Sequence, residues 1–318
     1  MTDIPYHIPA LLKETIELLH IQPDGVYVDA TFGGGGHSRA ILDCLGKEGK
    51  LIVFDQDADA FANQKSMKNS LLDDDRVIAV NANFKYIKRF LRFYGIAKID
   101  GVLADLGVSF HHFDAAERGF SFRTDAPLDM RMNQHAQINA QKVLNNYTEQ
   151  QLADIFYLYG ELRQSRQIAS AICRARTKNG IETTSQLIDI VKPFLKNDRE
   201  KKELACVFQA LRIAVNDEMG ALKTLLYDAT EALTEQGRFV ILSYHSIEDR
   251  IVKNFFKTGN AEGRVEKDFY GNILAPLKPE SNKAIVADQT EIDNNPRARS
   301  AKLRAAVKTK DNKANTNK

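Results

Sequence analysis

A run of four glycines at residues 33–36 is the first feature of the chain that could bind a ligand. It follows an apolar run that contains Asp29 and leads directly into a helical pattern. Glycine allows close approach of the backbone, and a helix N-terminus offers free N–H groups to an anionic or carboxylate-bearing ligand. A flexible turn is the alternative, but so long a glycine run costs conformational entropy, which is unfavourable if nothing approaches it. The run therefore predicts a cofactor site.

Aspartates beside and beyond the glycines indicate the kind of cofactor. Asp55 ends the second apolar run and could accept hydrogen bonds from the ribose of a dinucleotide or of an adenosine cofactor. The dinucleotide fingerprint G-x-G-x-x-G is incomplete, because Ser38 takes the place of its last glycine. Asp29 would sit poorly beside a pyrophosphate but well near the cationic end of S-adenosylmethionine. The pattern favours S-adenosylmethionine over a nicotinamide dinucleotide.

Two more residues follow strand-like runs. Phe84 comes after the third run, where an aromatic ring could cover an adenine or pack in the core. Asp105 ends the fourth run and opens an Asp-Leu-Gly-Val-Ser segment, where it would face the reaction centre or simply form a turn. Ligands of open parallel sheets bind outside the carboxyl ends of the strands, so both residues are candidate site residues.

The elements that position these residues alternate between strands and helices. Strand-like runs rich in β-branched residues occupy 25–31, 50–55, 76–80 and 99–105, and helical patterns occupy 38–45, 57–67 and 84–94. This alternation is typical of an α/β fold with a parallel sheet covered on both faces.

The middle of the chain reads as an inserted helical domain. Helical patterns replace strand-like ones from residue 108 to 208, at 148–160, 163–176 and 185–195. A long helical pattern at 205–234 then leads to a fifth strand-like run at 237–243 and a helix at 248–256. We predict α/β parts at 1–107 and 209–307, an inserted domain at 108–208, and a disordered basic tail at 308–318.

The overall composition is that of an ordinary soluble protein. The 318 residues are 43% hydrophobic and 27% charged. The three cysteines, Cys44, Cys173 and Cys206, form no CxxC pair, which argues against a disulfide scaffold or a zinc cluster. No signal-peptide pattern and no membrane-spanning apolar run occur, so we expect a cytoplasmic protein.

Basic residues are concentrated near the C-terminus. The whole chain is almost neutral, with 44 Lys and Arg against 42 Asp and Glu, but residues 295–318 hold eight basic residues and one acidic residue. This distribution suggests an anionic partner, with nucleic acid as the first candidate and a solvated tail as the alternative.

Motifs spread over nearly the whole chain resemble those of the bacterial ribosomal RNA small subunit methyltransferase H family, whose members methylate N4 of a cytosine in 16S ribosomal RNA. They occur in the family's order at 7–12, 33–37, 105–109, 117–122, 127–132, 208–218, 243–250 and 295–304. The resemblance implies a class I S-adenosylmethionine-dependent methyltransferase, with a Rossmann-like, mostly parallel sheet and an inserted all-helical domain. It also implies 16S ribosomal RNA as the partner, within the small subunit, with the target cytidine in the decoding region.

The resemblance also implies the cofactor contacts, which are Gly35, Gly36, His37, Asp55, Phe84, Asp105 and His112. His112 stands where the family usually has a glutamine. Tyr244 stands where the family usually has phenylalanine, and we expect its added hydroxyl to be harmless.

Methylation of an exocyclic amine requires an acceptor for its N–H hydrogen bonds, and Asp105 is the candidate catalytic residue. Methylation of a ring carbon would instead need a cysteine nucleophile, and no cysteine lies directly after the fourth or fifth strand-like run. The Asp-Pro-Pro-Tyr signature of DNA amino-methyltransferases is absent, so a purely cofactor-binding Asp105 is the alternative. The histidines lack metal-ligand spacing, and we expect no metal.

Several residues are candidate RNA contacts. Aromatic and basic side chains that can stack on bases or bind phosphates lie at Arg118, Phe120, Arg123 and Arg131. His245 and Ser246 follow the fifth strand and are expected, with Glu248, to touch substrate or brace the site, and Arg297 and Arg299 are further RNA contacts. The alternatives are a small apolar core around Phe120, a structural His245, and an edge strand at 300–307 with structural arginines.

Two other functions remain open on the sequence. A nicotinamide-dependent dehydrogenase can share this kind of sheet, and a non-catalytic RNA-binding or assembly factor can retain a vestigial cofactor site. The intact glycine run, Asp55 and Asp105 argue against the vestigial site.

Overall fold

A computed structural model of the protein describes residues 9–107 and 116–309. The chain divides into two compact units. The first unit comprises 1–107 and 220–318, and the second comprises 108–219. No helix among the described residues is long and apolar enough to cross a membrane.

The first unit is built on a seven-stranded sheet. Its strands are β1 (Val26–Asp29), β2 (Lys50–Asp55), β3 (Val77–Asn81), β4 (Ile99–Asp105), β5 (Leu233–Ser243), β6 (Leu277–Pro279) and β7 (Lys302–Lys308). The spatial order is β3-β2-β1-β4-β5-β7-β6. Strands β1 to β5 are parallel, whereas β7 pairs antiparallel with both β5 and β6. The predicted α/β fold with a mostly parallel, Rossmann-like sheet is confirmed.

Twelve α-helices are described. They are α1 (Leu12–Leu19), α2 (Gly36–Cys44), α3 (Ala58–Lys65), α4 (Ile87–Phe93), α5 (Ala140–Asn146), α6 (Glu149–Leu158), α7 (Ser165–Arg176), α8 (Thr184–Val191), α9 (Glu200–Asn216), α10 (Glu218–Ala232), α11 (Ser246–Thr258) and α12 (Gln289–Asn294).

Alternate residues of the central strands pack against opposite faces of the sheet. In β2, Leu51 and Val53 join the apolar cluster that contains Leu42 of α2. Ile52 and Phe54 join the cluster that contains side chains of α4, α10 and α11. The mostly apolar run at 50–55 is therefore a parallel strand covered on both faces, as predicted.

The second unit has an apolar core of its own, formed by α5 to α9 and the segment that precedes them. Its buried side chains include Phe120, Leu144, Phe156, Ile168 and Leu211. The helices α6 and α8 begin at capping boxes, in which Thr148 and Thr183 each exchange hydrogen bonds with the glutamine three residues later.

The predicted continuous helix at 205–234 is wrong. Asp217 has a left-handed backbone (φ 50°), which ends α9 at Asn216 and separates it from α10. The Asn216 side chain is fixed by the backbones of Met130 and Met132, at 2.8 Å each, a contact that helical periodicity does not encode. Because α9 packs in the second unit, that unit extends to residue 219 rather than to the predicted boundary at 208.

The C-terminal strand also differs from its prediction. β7 lies between β5 and β6, so it is not an edge strand, and the edge is taken by the short β6, which was not predicted. Lys308 is buried in β7, so the predicted disordered tail at 308–318 begins too early. Residues 310–318 lie outside the described residues.

Candidate functional site

The glycine run forms the loop between β1 and the N-terminus of α2. Gly35 caps α2 in a left-handed conformation (φ 77°), and a Cβ there would come within 3.1 Å of Leu71 Cδ1 and 3.2 Å of Phe32 Cε2. Only glycine satisfies both the backbone angle and this packing without strain. A Cβ at Gly33 would meet only Thr31 O at 3.9 Å, so open space lies beside that part of the loop.

Asp55 joins this loop to the loop after β2. Its Oδ2 accepts a hydrogen bond from Gly33 N at 2.8 Å, and its Oδ1 accepts one from Asp57 N at 2.8 Å. Each carboxylate oxygen has a second lone pair. The residue can therefore hold the loop and still accept hydrogen bonds from ribose hydroxyls.

Asp29 lies beneath the loop rather than facing a ligand. Its side chain is 1% exposed and accepts hydrogen bonds from Ser38 Oγ at 2.6 Å and Thr31 N at 3.0 Å. Burial is the main cause that raises the pKa of its carboxyl group. The prediction that Asp29 sits at the cationic end of the cofactor is therefore wrong, and its role is to fix the loop.

His37, in the first turn of α2, is also buried. Its Nε2 lies 3.2 Å from the carbonyl oxygen of Ala10, which can only accept, so Nε2 carries the hydrogen. Burial lowers the pKa of the ring, so His37 is neutral near pH 7. Its Nδ1 lies 3.7 Å from Asp105 Oδ2 and brings no positive charge to that carboxyl group.

Asp105 ends β4 and is held from two sides. Its backbone N donates to Thr31 Oγ1 at 2.6 Å, and its Oδ1 accepts a hydrogen bond from the Tyr244 hydroxyl at 2.7 Å. The side chain is 18% exposed. Burial raises its pKa to about 7; the Tyr244 hydrogen bond lowers it, and the charge of Glu248 adds to the increase. The carboxyl group can therefore accept or release a proton near neutral pH.

The turn after β5 is braced by its own side chains. Glu248 Oε2 accepts a hydrogen bond from Tyr244 N at 3.0 Å, and His245 Nδ1 caps α11 by accepting from Glu248 N at 3.4 Å. His245 and Glu248 are largely buried, which favours the bracing role among the two that were predicted. Ser246 is exposed.

Phe84 begins a short 3₁₀ helix directly after β3. Its side chain is partly buried and packs against the apolar cluster that contains Phe54. Part of the ring remains accessible, so core packing and adenine contact are compatible. His112 lies outside the described residues, so its predicted cofactor contact has no structural counterpart here.

The predicted RNA contacts of the second unit are mostly buried. Phe120 is 4% exposed, and the Arg118 guanidinium lies over its ring and donates to the carbonyls of Arg131 and Met132. Arg131 pairs through Nε with Asp129 at 2.7 Å. Stacking of Phe120 on a base does not fit this burial, and neither does phosphate binding by Arg118. The alternative of an apolar core agrees with the burial of Phe120, whereas the exposed position that it gave to the arginines does not agree with the burial of Arg118.

Exposed arginines lie elsewhere. Arg123 is exposed in the second unit, and Arg297 and Arg299 are exposed in the segment before β7. Arg304, inside β7, instead pairs through Nε with Asp249 Oδ1 at 2.6 Å, and both side chains are largely buried. The C-terminal basic run therefore divides into surface arginines and a structural one.

The donor set fits the cofactor predicted from the sequence. The loop offers open space at Gly33 beside the carboxylate of Asp55, which suits ribose hydroxyls. The partly exposed ring of Phe84 follows the neighbouring strand β3, which suits an adenine. The carboxyl group of Asp105 is an acceptor that suits a cationic or amine group.

Two residues of this site were missed by sequence reasoning. Thr31 was taken only as part of the first strand, but its hydroxyl accepts from the backbone of Asp105. The Tyr244 hydroxyl was expected to be harmless, yet it donates to Asp105. The unusual tyrosine was a visible signal, whereas its partner depends on the pairing of β4 with β5.

Comparison with known proteins gives matches over nearly the whole chain. A family model described as the MraW methylase family matches residues 5–309. The ribosomal RNA small subunit methyltransferase H of Bacteroides fragilis strain YCH46 is 56% identical over 306 residues, which are 96% of this chain and 98% of that protein. Proteins of the same name from Flavobacterium johnsoniae and Christiangramia forsetii are 52% and 51% identical to this chain. The two matches cover 96% and 97% of this chain, respectively, and 99% of each relative.

Proposed function

The chain belongs to the MraW methylase family, and on that premise we propose that it methylates N4 of a cytidine in the decoding region of 16S ribosomal RNA. S-adenosylmethionine is its methyl donor, as the resemblance implied. When bound, this cofactor supplies an electrophilic methyl group on a sulfonium.

The cofactor-binding residues that we assign lie at the carboxyl ends of adjacent parallel strands. Asp55 accepts hydrogen bonds from the ribose, and Phe84 covers the adenine. Gly35, Gly36 and His37 form the start of α2 against which the cofactor lies. His112 remains a proposed contact on the strength of the resemblance alone.

The observation that carries the proposal is the geometry of Asp105. One of its oxygens is occupied by Tyr244, and the other can accept an N–H of the exocyclic amine. Holding the amine in line with the methyl group can supply much of the barrier reduction, because oriented reactants avoid a large entropy cost. A pKa of about 7 lets the same group take the proton that the methylated nitrogen loses.

The positions of the cysteines favour nitrogen over carbon as the methyl acceptor. Cys44 lies at the end of α2, and Cys173 and Cys206 lie in helices of the second unit. Methylation of a ring carbon needs a nucleophile at the target base. Among the described residues, no cysteine lies directly after β4 or β5. The site is therefore better suited to methylating an exocyclic amine than a ring carbon.

RNA as the substrate is supported by the names of the relatives, which are ribosomal RNA methyltransferases, and by surface charge. Arg297 and Arg299 give the segment before β7 an exposed basic face, and Arg123 is exposed in the second unit. Basic side chains of this kind bind phosphates without reading sequence. We propose the small ribosomal subunit as the partner, with the target base unstacked to reach the cofactor.

The test is methyl transfer from tritiated S-adenosylmethionine to small subunits from cells that lack this protein, with naked 16S RNA and transfer RNA in parallel. We expect label in N4-methylcytidine from the subunits, at a position mapped to the decoding region. Label in another nucleoside, or none in any RNA while cofactor binding is intact, would overturn the proposal.

Asp105→Asn separates catalysis from cofactor binding. We expect kcat to fall at least about 100-fold, which is within the usual range for loss of a general base. The dissociation constant of the cofactor should change much less. Equal losses in kcat and in cofactor affinity would mean that Asp105 only binds the cofactor.

A further inference from the structure

We propose that Tyr244 is a positioning residue for methyl transfer: its hydroxyl donates to Oδ1 of Asp105 and fixes the carboxyl group, which leaves Oδ2 to accept a hydrogen of the substrate amine. The inference rests on the proposed function, because it deepens the role of Asp105 in that reaction.

The contact is set by the sheet. β4 and β5 are parallel neighbours in the sheet, and Asp105 is paired with Leu242. The turn after β5 therefore brings Tyr244 beside the end of β4. The hydroxyl lies 2.7 Å from Asp105 Oδ1. The backbone N of Tyr244 donates to Glu248 Oε2 at 3.0 Å, so this residue is held at its main chain as well as at its hydroxyl.

The hydrogen bond has a defined direction. Burial and the neighbouring charge of Asp105 raise the pKa of Tyr244, so the phenol stays protonated throughout the physiological range. It is therefore the donor, and a carboxylate is a better acceptor than a neutral carboxyl group. The contact stabilises the ionised form of Asp105.

Among the described residues, the other charged groups around Asp105 do not supply this stabilisation. His37 of α2 is neutral because burial lowers its pKa. Glu248 of α11 raises the pKa of Asp105, and Asp29 of β1 is a buried acid whose own pKa Asp105 raises. Glu291 of α12 acts on Tyr244 and raises its pKa further. Tyr244 is thus the described side chain that opposes the cost of burying the Asp105 charge.

The ionised form is the one that the reaction needs. When the N4–CH₃ bond forms and the S–CH₃ bond breaks, the nitrogen gains a positive charge. One N–H bond then breaks, its electron pair stays on nitrogen, and the proton goes to Oδ2 of Asp105 and from there to solvent. The products are N4-methylcytidine and S-adenosylhomocysteine, with one proton released. A protonated Asp105 cannot accept this proton.

The main experiment is the pH profile of kcat for Tyr244→Phe on small subunits. Loss of the hydroxyl should move the acid limb of the profile upward by about one pH unit, since a hydrogen bond to the charged form lowers a carboxyl pKa. We expect kcat to fall about tenfold at pH 6.5, one pH unit being a tenfold change in ionised fraction, and to recover to near wild type at pH 9. Tyr227→Phe, which removes an exposed hydroxyl, is the matched control and should leave the profile unchanged.

A second readout does not depend on activity. The carbon-13 resonance of the Asp105 carboxyl group, identified by its loss in Asp105→Asn, can be titrated in the free protein. Its midpoint should lie near pH 7 in the wild type and about one unit higher in Tyr244→Phe. These upward shifts in both experiments would support the inference.

An unchanged carboxyl titration, or a fall in kcat that is equal at every pH, would overturn it, because either result reduces the hydroxyl to a packing role. Such a failure would leave wild-type formation of N4-methylcytidine intact. Failure of the proposed function would instead appear as absence of that product with the wild-type enzyme.

Discussion

Asp105 couples the stability of the protein to pH. In the folded chain its pKa is about 7, against an ordinary value of 3.8, so the folded state binds the extra proton between these two values. The stabilisation that comes from this tighter proton binding is complete below about pH 4 and is lost as the pH rises through 7. Above about pH 7 the folded protein therefore carries a destabilising charge at Asp105.

Asp105→Asn should therefore stabilise the protein at alkaline pH while it removes activity. We expect a gain of more than about 1 kcal/mol in the free energy of unfolding at pH 8.5, and a difference that fades toward pH 4. Urea unfolding of wild type and variant at several pH values measures this, with the exposed Asp43→Asn as control. An equal effect of Asp105→Asn at both ends of the pH range would contradict the assignment.

Ser38 supports the buried carboxyl group beneath the glycine loop. Ser38→Ala removes the donor that lies 2.6 Å from Asp29 Oδ2 and should cost about 2 kcal/mol, because the buried acceptor loses its partner. Ser66→Ala, at an exposed serine, should change stability by less than about 0.5 kcal/mol. Equal stability of the two variants in urea unfolding would show that the Asp29 contact is not needed.

At the scale of elements, the turn after the 3₁₀ helix Ala116–Arg118 depends on Gly119. Its φ is 69°, and a Cβ there would lie 2.2 Å from the carbonyl oxygen of Pro127. Gly95 has the same φ but no atom within 4 Å of its Cβ position. A comparison of substitutions at these two glycines therefore distinguishes the cost of backbone strain from the cost of steric conflict.

Gly95→Ala should cost about 1–2 kcal/mol for the left-handed backbone alone. Gly119→Ala should cost about 1–3 kcal/mol more, because the Pro127 carbonyl must move. Thermal unfolding of both variants tests this difference. Similar losses in the two variants would mean that the turn can relax around a side chain.

The arginines of the C-terminal basic segment have two different roles, one in stability and one at the surface. Arg304→Gln breaks a largely buried pair with Asp249 and should lower the unfolding free energy by about 3 kcal/mol, with the salt dependence of RNA affinity unchanged. Arg299→Gln should leave stability unchanged and reduce the slope of log affinity against log salt by about 1. Interchanged effects in RNA-binding and unfolding assays would contradict this division.

At the scale of the whole molecule, each compact unit contains its own core. The second unit is one continuous stretch, with buried side chains from α5 to α9 in a single cluster. We expect a fragment of residues 108–219 to be helical by circular dichroism and to unfold cooperatively on heating. Gly119→Ala in the fragment should lower its melting temperature. A fragment without a cooperative transition would show that this core depends on the rest of the chain.

Much of the fold follows from local sequence. The runs at 50–55 and 99–105 have the bounds of β2 and β4, because a short, mostly apolar run between turns is most stable as a buried parallel strand. The glycine loop and the strand-end positions of Asp55 and Asp105 follow from the same pattern. The motifs sufficed for the family and, through that resemblance, for the cofactor.

Which side chains meet depends instead on the folded arrangement of the elements. Tyr244 and Asp105 are 139 residues apart in the chain and come together because β5 pairs with β4. The burial of Asp29, Arg118 and Phe120 depends on layers that local periodicity does not specify. A sequence pattern states which face of an element is apolar, whereas the partners of its polar groups are fixed by long-range packing, which carries no local signature.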